Sequence, residues 1–100
     1  MADDVPTPTV LRIYRDGDVI ALFPAIPADF QGHCLSYQHV GQHGAADCAY
    51  VIASTRPATP AEYAELMAEL TGIGYMVKPM RRVTRRMDEE RRATLARLRT

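Results

Sequence analysis

The feature that most restricts the fold of this chain is an Asp-Gly dipeptide between two apolar runs. The run TVLRIYR precedes Asp16 and Gly17, and the run VIALF follows one residue later. Both runs are rich in β-branched and aromatic residues, and Asp-Gly supplies the positive φ that a tight hairpin turn requires. We therefore predict a β-hairpin whose second strand ends at Pro24 and Pro27, because proline cannot donate to a ladder.

Three further apolar runs predict additional strands. The first alternates, with Leu35, Tyr37 and His39 on one face, and the second is apolar nearly throughout, which is typical of a central strand. The third is short and lies between a predicted helix and the basic end of the chain. The stretches between the strands contain proline and glycine, so we expect them to be loops. The runs are CLSYQHV (34–40), CAYVIAST (48–55) and YMVKPM (75–80).

Residues 56–74 carry the start and stop residues of a helix. Thr59 is placed as N-cap, Pro60 as the first helical residue and Glu62 as the partner that completes a capping box. Apolar residues recur at steps of three and four, and a glycine at 72 or 74 is expected to end the helix. The apolar stripe comprises Tyr63, Leu66, Met67 and Leu70.

These elements together predict an α+β fold. We expect a mostly antiparallel sheet of four to five strands, covered on one face by the helix at 60–71. Residues 1–8 are expected to be a flexible N-terminus, since their prolines and aspartates offer nothing to bury. Residues 9–83 form the predicted single α+β domain. Residues 84–100 form a basic C-terminal helix, which either packs beside the first helix or projects from the domain.

Composition and the cysteine count bear on the compartment. No apolar run approaches the roughly 20 residues that cross a bilayer, and the acidic start differs from a signal peptide. We therefore expect a cytoplasmic protein with no membrane partner. Cys34 and Cys48 are then expected to be reduced thiols, and a disulfide between them is the less favoured alternative. With 100 residues, the chain can bury a core without a metal or a disulfide.

The net charge of zero conceals a division along the chain. Residues 1–77 carry three arginines and nine acidic residues, a balance of −6, and residues 78–100 carry nine basic and three acidic residues, a balance of +6. Such asymmetry predicts a basic segment with its own role, either nucleic-acid or partner contact. The candidate contact residues are Arg81, Arg82, Arg85, Arg86 and Arg92.

Two observations weaken the nucleic-acid interpretation of this basic segment. Acidic residues lie four positions from arginines and can neutralise part of the helix surface. No aromatic residue within 81–100 is present to stack on bases. A solvated or partner-facing helix is therefore favoured, and the acidic remainder of the chain could receive it within one molecule or between two, as in a homo-oligomer. The pairs at this spacing are Asp88–Arg92, Arg85–Glu89 and Arg86–Glu90.

The segment SYQHVGQHG, at 36–44, raises the question of a metal site. Cys34, His39, His43 and Cys48 are all of zinc-binding types, but their spacing fits no common zinc pattern. Within one strand, the two histidines would share a face about 13 Å apart, so joint binding needs a turn at Gly41. We therefore expect no cofactor.

A nucleophilic site is the second alternative for this segment. Cys34 or Ser36 could combine with a histidine and Asp47, yet no glycine-flanked nucleophile elbow is present. We predict no catalytic residue. We expect Tyr37 to help fill the core, while the remaining polar side chains of the loop form hydrogen bonds. Those side chains are His39, Gln42 and His43.

The motifs DGDVIALFP, SYxHxGQHG and PATxxEY together resemble a group of small bacterial proteins that are often carried on plasmids, conjugative elements or phages. The resemblance covers about residues 10–75 and implies no assigned activity. It implies that Tyr37, His39, Gln42 and His43 belong to the family pattern. It also implies that the two cysteines and the arginine-rich end lie outside that pattern.

These observations favour a small non-enzymatic interaction or accessory protein, whose partner is a protein of unknown identity. The first alternative is nucleic-acid binding through the arginine-rich C-terminal helix. The second alternative is a metal-binding or hydrolytic site at the SYQHVGQHG loop.

Overall fold

Strands and helices are mixed along the chain, and the α+β class predicted from the sequence is confirmed. The computed structural model describes residues 5–39 and 42–99, which contain six strands and three helices. In chain order they are β1 Thr7–Ile13, β2 Val19–Pro27, β3 Cys34–Tyr37, β4 His43–Ala46, α1 Cys48–Ser54, β5 Arg56–Pro57, α2 Pro60–Gly72, β6 Val77–Met80 and α3 Arg85–Arg99.

The sheet is mostly antiparallel, with strand order β4-β3-β2-β1-β5, and β6 pairs in parallel with β1. The predicted hairpin is confirmed, since Ile13 pairs with Val19 across the turn. Gly17 within that turn has φ +98°, a conformation that residues with a Cβ rarely adopt. Thr7 and Pro8 belong to β1 and pair with β6, so the flexible N-terminus predicted for residues 1–8 is wrong at these two positions. Residues 1–4 lie outside the described part.

The expectation that β2 stops at Pro24 is wrong, because the strand continues through Pro24 and ends at Pro27. Opposite β3 the register shifts, so that Phe23 pairs with Leu35 and Pro27 pairs with Cys34. The extra residues of β2 form an irregular, bulged segment, where missing proline N–H groups interrupt no ladder. The bulge also leaves the Pro24 carbonyl available to accept a hydrogen bond from a side chain, and Arg91 of α3 donates it.

The run CAYVIAST is a helix and not the predicted central strand. The side chain of Asp47 accepts a hydrogen bond from the Tyr50 amide at 3.1 Å and caps the N-terminus of α1. At the other end, the Arg12 guanidinium donates to the carbonyls of Ile52 at 3.0 Å and Thr55 at 2.6 Å. The strand that pairs with β3 is instead β4, which lies in a segment that we predicted to be a loop.

Helix α2 begins as predicted. Thr59 and Glu62 form the capping box, with Pro60 at the first position. The helix ends at Gly72, and Gly74 follows with φ +105°. Leu66 and Leu70 of α2 pack on one face of the sheet, and α1 packs on the other. The cluster under α2 contains Leu11, Ala21, Phe23, Tyr37, Leu66 and Leu70, and the opposite cluster contains Val10, Ile20, Leu22, Cys34, Ala46, Cys48 and Val51.

Helix α3 packs on the domain, on the same face of the sheet as α1. It buries Met87, Arg91 and Leu95, and the Arg91 guanidinium donates to the Pro24 carbonyl of β2 at 2.7 Å. Of the two placements left open by the sequence, the packed one is therefore observed. Within the described residues, no helix has the length and apolar character needed to span a bilayer.

Candidate functional site

The SYQHVGQHG segment contains the end of β3, the start of β4 and the residues between them. Tyr37 pairs with His43 across the two strands, and the Gln38 amide donates to the Gln42 carbonyl at 2.9 Å. The predicted third strand is confirmed for Cys34–Tyr37 and is wrong at Gln38 and His39, which follow the end of β3. Its predicted end at Val40 lies outside the described residues, as does Gly41. The turn brings both histidines to the α2 side of the sheet.

Glu69 of α2 connects Tyr37 with His39. The Tyr37 hydroxyl donates to Glu69 Oε1, and His39 Nδ1 lies 2.9 Å from Glu69 Oε2. Tyr37 is 1% exposed, whereas the side chain of His39 is 76% exposed. A buried phenol therefore fixes a carboxylate that orients an exposed imidazole through Nδ1.

His43 joins the same cluster through aromatic neighbours. Its Nε2 lies 2.9 Å from the Tyr75 hydroxyl, and its ring meets the edge of Tyr37 with centroids 4.7 Å apart. Tyr75 in turn stacks on Phe23 at 5.3 Å. The loop hydrogen bonds predicted for the histidines exist, but they reach side chains from distant parts of the chain. Gln42 is exposed and contributes its carbonyl to the turn.

Glu69 and Tyr75 were not identified by the sequence analysis. Glu69 lies three residues after Leu66, at the border of the apolar stripe of α2, which is a weak indication that its side chain can reach the sheet. Tyr75 stands at the start of a run that we predicted as a strand, with no pattern that links it to His43. Only the packing of α2 on the sheet brings these groups together.

The two cysteines lie on the opposite face of the sheet from the histidines. Cys34 and Cys48 are buried, free thiols in the cluster beneath α1. The four candidate zinc ligands are therefore divided between two sides of the sheet. In the part of the chain that the structure describes, no three His, Cys, Asp or Glu side chains gather where they could hold a metal ion.

The nucleophile and acid considered above have structural roles. The Ser36 hydroxyl donates to the Gly44 carbonyl at 3.1 Å, across β3 and β4. The Asp47 carboxylate caps α1. Neither side chain is directed at His39, which is bound by Glu69. The arrangement thus differs from a Ser-His-Asp triad, in which one imidazole contacts both partners.

The candidate contact arginines form an exposed surface, which we call the arginine face. In α3, Arg85 and Arg92 are seven residues apart, so they lie on the same side of the helix. One of the predicted i,i+4 ion pairs forms, between Arg86 and Glu90 at 3.3 Å. Asp88 contacts Arg91 instead of the expected Arg92. The arginine face consists of Arg81, Arg82, Arg85, Arg86 and Arg92, all exposed.

Arg91 is the exception among the arginines of α3. It is 9% exposed and binds both the Pro24 carbonyl at 2.7 Å and Asp88 Oδ1 at 2.9 Å. Near the end of the helix, Arg99 donates to the backbone carbonyl of Phe30, whose ring is exposed. Arg91 is spaced by four residues from Met87 and from Leu95, which places all three on the buried side of the helix.

Comparison of the chain with protein-family models, with curated proteins and with solved structures finds no match.

Proposed function

We propose that this protein is a small non-enzymatic accessory protein that binds an acidic protein partner through the arginine face. The observation that carries the proposal is the docking of α3. Arg91 points inward to Pro24, while Arg85 and Arg92 remain exposed on a helix held against the sheet. A basic helix that is already ordered loses less conformational entropy on binding than a flexible tail does.

The chemistry of guanidinium groups suits such a partner. Each group presents a planar set of donors that matches a carboxylate, and Arg85 and Arg92 are separated by about 10 Å along the helix. A partner surface with carboxylates at a similar spacing could engage both groups. Arg81 and Arg82 precede the helix and extend the positive surface.

The charge distribution favours an acidic protein over nucleic acid. Asp88, Glu89 and Glu90 interrupt the arginines of α3, and the rest of the chain has a balance of −6. A phosphate polymer would be repelled by these carboxylates over its length, whereas a partner with discrete acidic groups could avoid them. The exposed Phe30 ring near Arg99 offers one stacking surface for a base, so nucleic acid is an outcome that the experiment must distinguish.

The proposal places this interaction in the cytoplasm, and the mobile-element context follows from the motif resemblance. Cys34 and Cys48 are both free thiols, as is common in a reducing compartment. The resembling proteins are carried on plasmids, conjugative elements or phages, and we propose the same context for this chain. Self-association through the arginine face and the acidic remainder is a third outcome of the experiment.

The test is affinity capture from extract of cells that carry the gene, performed with and without nuclease treatment, with a matched pair of variants. Arg85→Gln/Arg92→Gln removes two charges from the arginine face, and Arg15→Gln/Lys78→Gln removes two exposed charges elsewhere. We expect a partner that is retained by wild type and by the control but released by the first variant. Loss of the bound material on nuclease treatment would indicate nucleic acid, and equal retention by both variants would contradict the proposal.

A second candidate function is general-base catalysis at His39. The specific observation is the exposed imidazole oriented by Glu69, which the buried Tyr37 holds in turn. A carboxylate that orients an imidazole recurs in hydrolytic sites. The chain supplies a matched control, because His33 Nδ1 and Asp29 Oδ2 form another imidazole–carboxylate pair at 2.6 Å.

This second candidate is tested by hydrolysis of an activated aryl ester. We expect a rate above background that is lost in His39→Ala and in Glu69→Gln but kept in His33→Ala. Equal rates for His39→Ala and His33→Ala would mean that the esterase activity reflects exposed imidazoles in general, and would remove this candidate.

A further inference from the structure

The two cysteines lie in the core on the side of the sheet that carries α1 and α3. Cys34 is 0% exposed and Cys48 is 8% exposed, and both belong to one apolar cluster. Cys34 pairs with Ala46 across β3 and β4, so Cys48 follows only two residues after its cross-strand neighbour. The two side chains are therefore neighbours within one packed cluster.

A groove connects Cys48 with the surface. Cys48 lines it together with His33, Asp88, Arg91 and Arg92, and its volume is 540 Å³ when measured for water-sized molecules. Cys34 is absent from the lining side chains of this groove. One thiol of the pair is therefore next to a route for small molecules, and the other lies behind it.

The surroundings make the two thiols chemically different. The neighbouring Cys34 thiol lowers the pKa of Cys48, and the guanidinium of Arg91 acts in the same direction. Burial and the carboxylates of Asp88 and Asp47 oppose this shift. The neighbouring Cys48 thiol, together with burial, raises the pKa of Cys34. The thiolate is the nucleophilic form of cysteine, and Cys48 is also the thiol that lines the groove, so we expect Cys48 to react first.

We propose that Cys34 and Cys48 form a reversible dithiol–disulfide site that is oxidised by small hydroperoxides, with Cys48 as the attacking thiol and Cys34 as the resolving thiol. The proposal rests on the shared cluster of the two thiols and on the groove at Cys48, and it is independent of the proposed partner binding. Cysteines that respond to peroxide combine a thiol that small molecules can reach with a second thiol that resolves the sulfenic acid.

The reaction balances in two steps. The Cys48 thiolate attacks one oxygen of the hydroperoxide, the O–O bond breaks, and an S–O bond forms, which yields a sulfenic acid and, after protonation, water or an alcohol. Cys34 sulfur then attacks Cys48 sulfur, the S–O bond breaks, and the hydroxide leaves as water with the proton of Cys34. Overall, two thiols lose two electrons and the peroxide gains them.

The disulfide would close a ring that contains the whole turn between β3 and β4. That ring runs from 34 to 48 and includes Tyr37, His39, Gln42 and His43. Oxidation would therefore fix the start of β3 to α1 on one face of the sheet, directly behind the histidine cluster on the other. A second thiol at this position also protects Cys48 from oxidation beyond the sulfenic state.

The test is treatment of the full-length reduced protein with equimolar hydrogen peroxide, followed by intact mass measurement without reductant. We expect wild type to lose two hydrogen atoms as a monomer and to regain them with dithiothreitol. After cleavage of the backbone before Asp47, the peptide that contains Cys34 and the peptide that contains Cys48 should stay linked until the disulfide is reduced. Cys34→Ser should stop at a sulfenic acid that dimedone traps, and Cys48→Ser should show no thiol oxidation at the same dose.

The wild-type measurement decides the proposal even where a variant fails to fold. Oxygen addition to the cysteines without loss of two hydrogens, or a disulfide between two chains, would overturn it. A Cys48→Ser variant that reacts as fast as wild type would overturn the assignment of Cys48 as the attacking thiol.

Discussion

Replacement of Arg91 by alanine tests how α3 is held on the sheet. The register shift in β2 leaves the Pro24 carbonyl without a ladder partner, and Arg91 Nη1 supplies the donor at 2.7 Å. The Arg91 side chain is 10% exposed, and that of its second partner, Asp88, is 36% exposed. The carbonyl therefore loses its hydrogen bond in Arg91→Ala, while Asp88 can be solvated by water.

The expected cost can be worked from these contacts. A hydrogen bond to a charged group contributes about 1.5–3 kcal/mol, and the buried methylene groups of the Arg91 stem add about 1 kcal/mol. We therefore expect Arg91→Ala to lower the free energy of unfolding by about 2–4 kcal/mol. For a domain of this size, each kcal/mol corresponds to about 4–8 °C in Tm.

The neighbouring Arg92 provides the matched control, since it is the same residue type on the same helix but is exposed. Arg92→Ala is expected to change the free energy of unfolding by less than about 0.5 kcal/mol. Urea unfolding followed by circular dichroism measures both variants. Equal effects of the two substitutions, or a loss below about 0.5 kcal/mol for Arg91→Ala, would refute the anchoring role of Arg91.

Leu70→Ala should cost about 2–5 kcal/mol in urea unfolding, because Leu70 is fully buried between α2 and the sheet, and a much smaller loss would contradict that packing. Asp47→Ala should cost about 1 kcal/mol by loss of the α1 cap, whereas Asp47→Ser should keep most of the stability; equal losses would argue against capping. Hydrogen bonds from Arg56 and the Thr59 amide lower the pKa of Glu62 to about 2. Its contribution to stability is therefore present above the unfolded pKa of about 4.3 and is lost as pH falls through the folded value. Glu62→Gln should flatten the fall in stability between about pH 4.5 and about pH 2, and an unchanged acid limb in pH-dependent unfolding would refute this.

The parts of the fold that the sequence predicted correctly depend on local chemistry. A tight turn at Gly17 needs positive φ, and the capping box at Thr59 needs only residues within one helical turn. Such features are complete within a few positions of the chain, so the hairpin and α2 could be located without knowledge of the packing.

The errors occurred where packing decides between local alternatives. CAYVIAST is short, apolar and rich in β-branched residues, which fits a buried strand or a short helix equally well. The Asp47 cap and the contacts from Arg12, far away in β1, select the helix. Pro24 likewise stays within β2, where its carbonyl accepts a hydrogen bond from Arg91 of α3.

The candidate sites also combine features that residue type predicts with features that only packing determines. The loop histidines and the exposed arginines could be identified from residue type alone. Glu69 and Tyr75 could not be assigned to His39 and His43, because the pairs are about 30 residues apart in sequence, with separations of 30 and 32. The place of Cys34 and Cys48 in one buried cluster depends on β4 and α1, which the sequence patterns did not predict.

The most direct test of the account is hydrogen exchange of the α3 amides in the full-length protein, since an anchored helix underlies the proposed arginine face. We predict protection of the amides around Arg91 that approaches that of the β1–β2 hairpin, because both belong to the same packed core. Exchange of α3 at the rate of an unstructured peptide, with the hairpin still protected, would contradict the account and remove the fixed arrangement of Arg85 and Arg92.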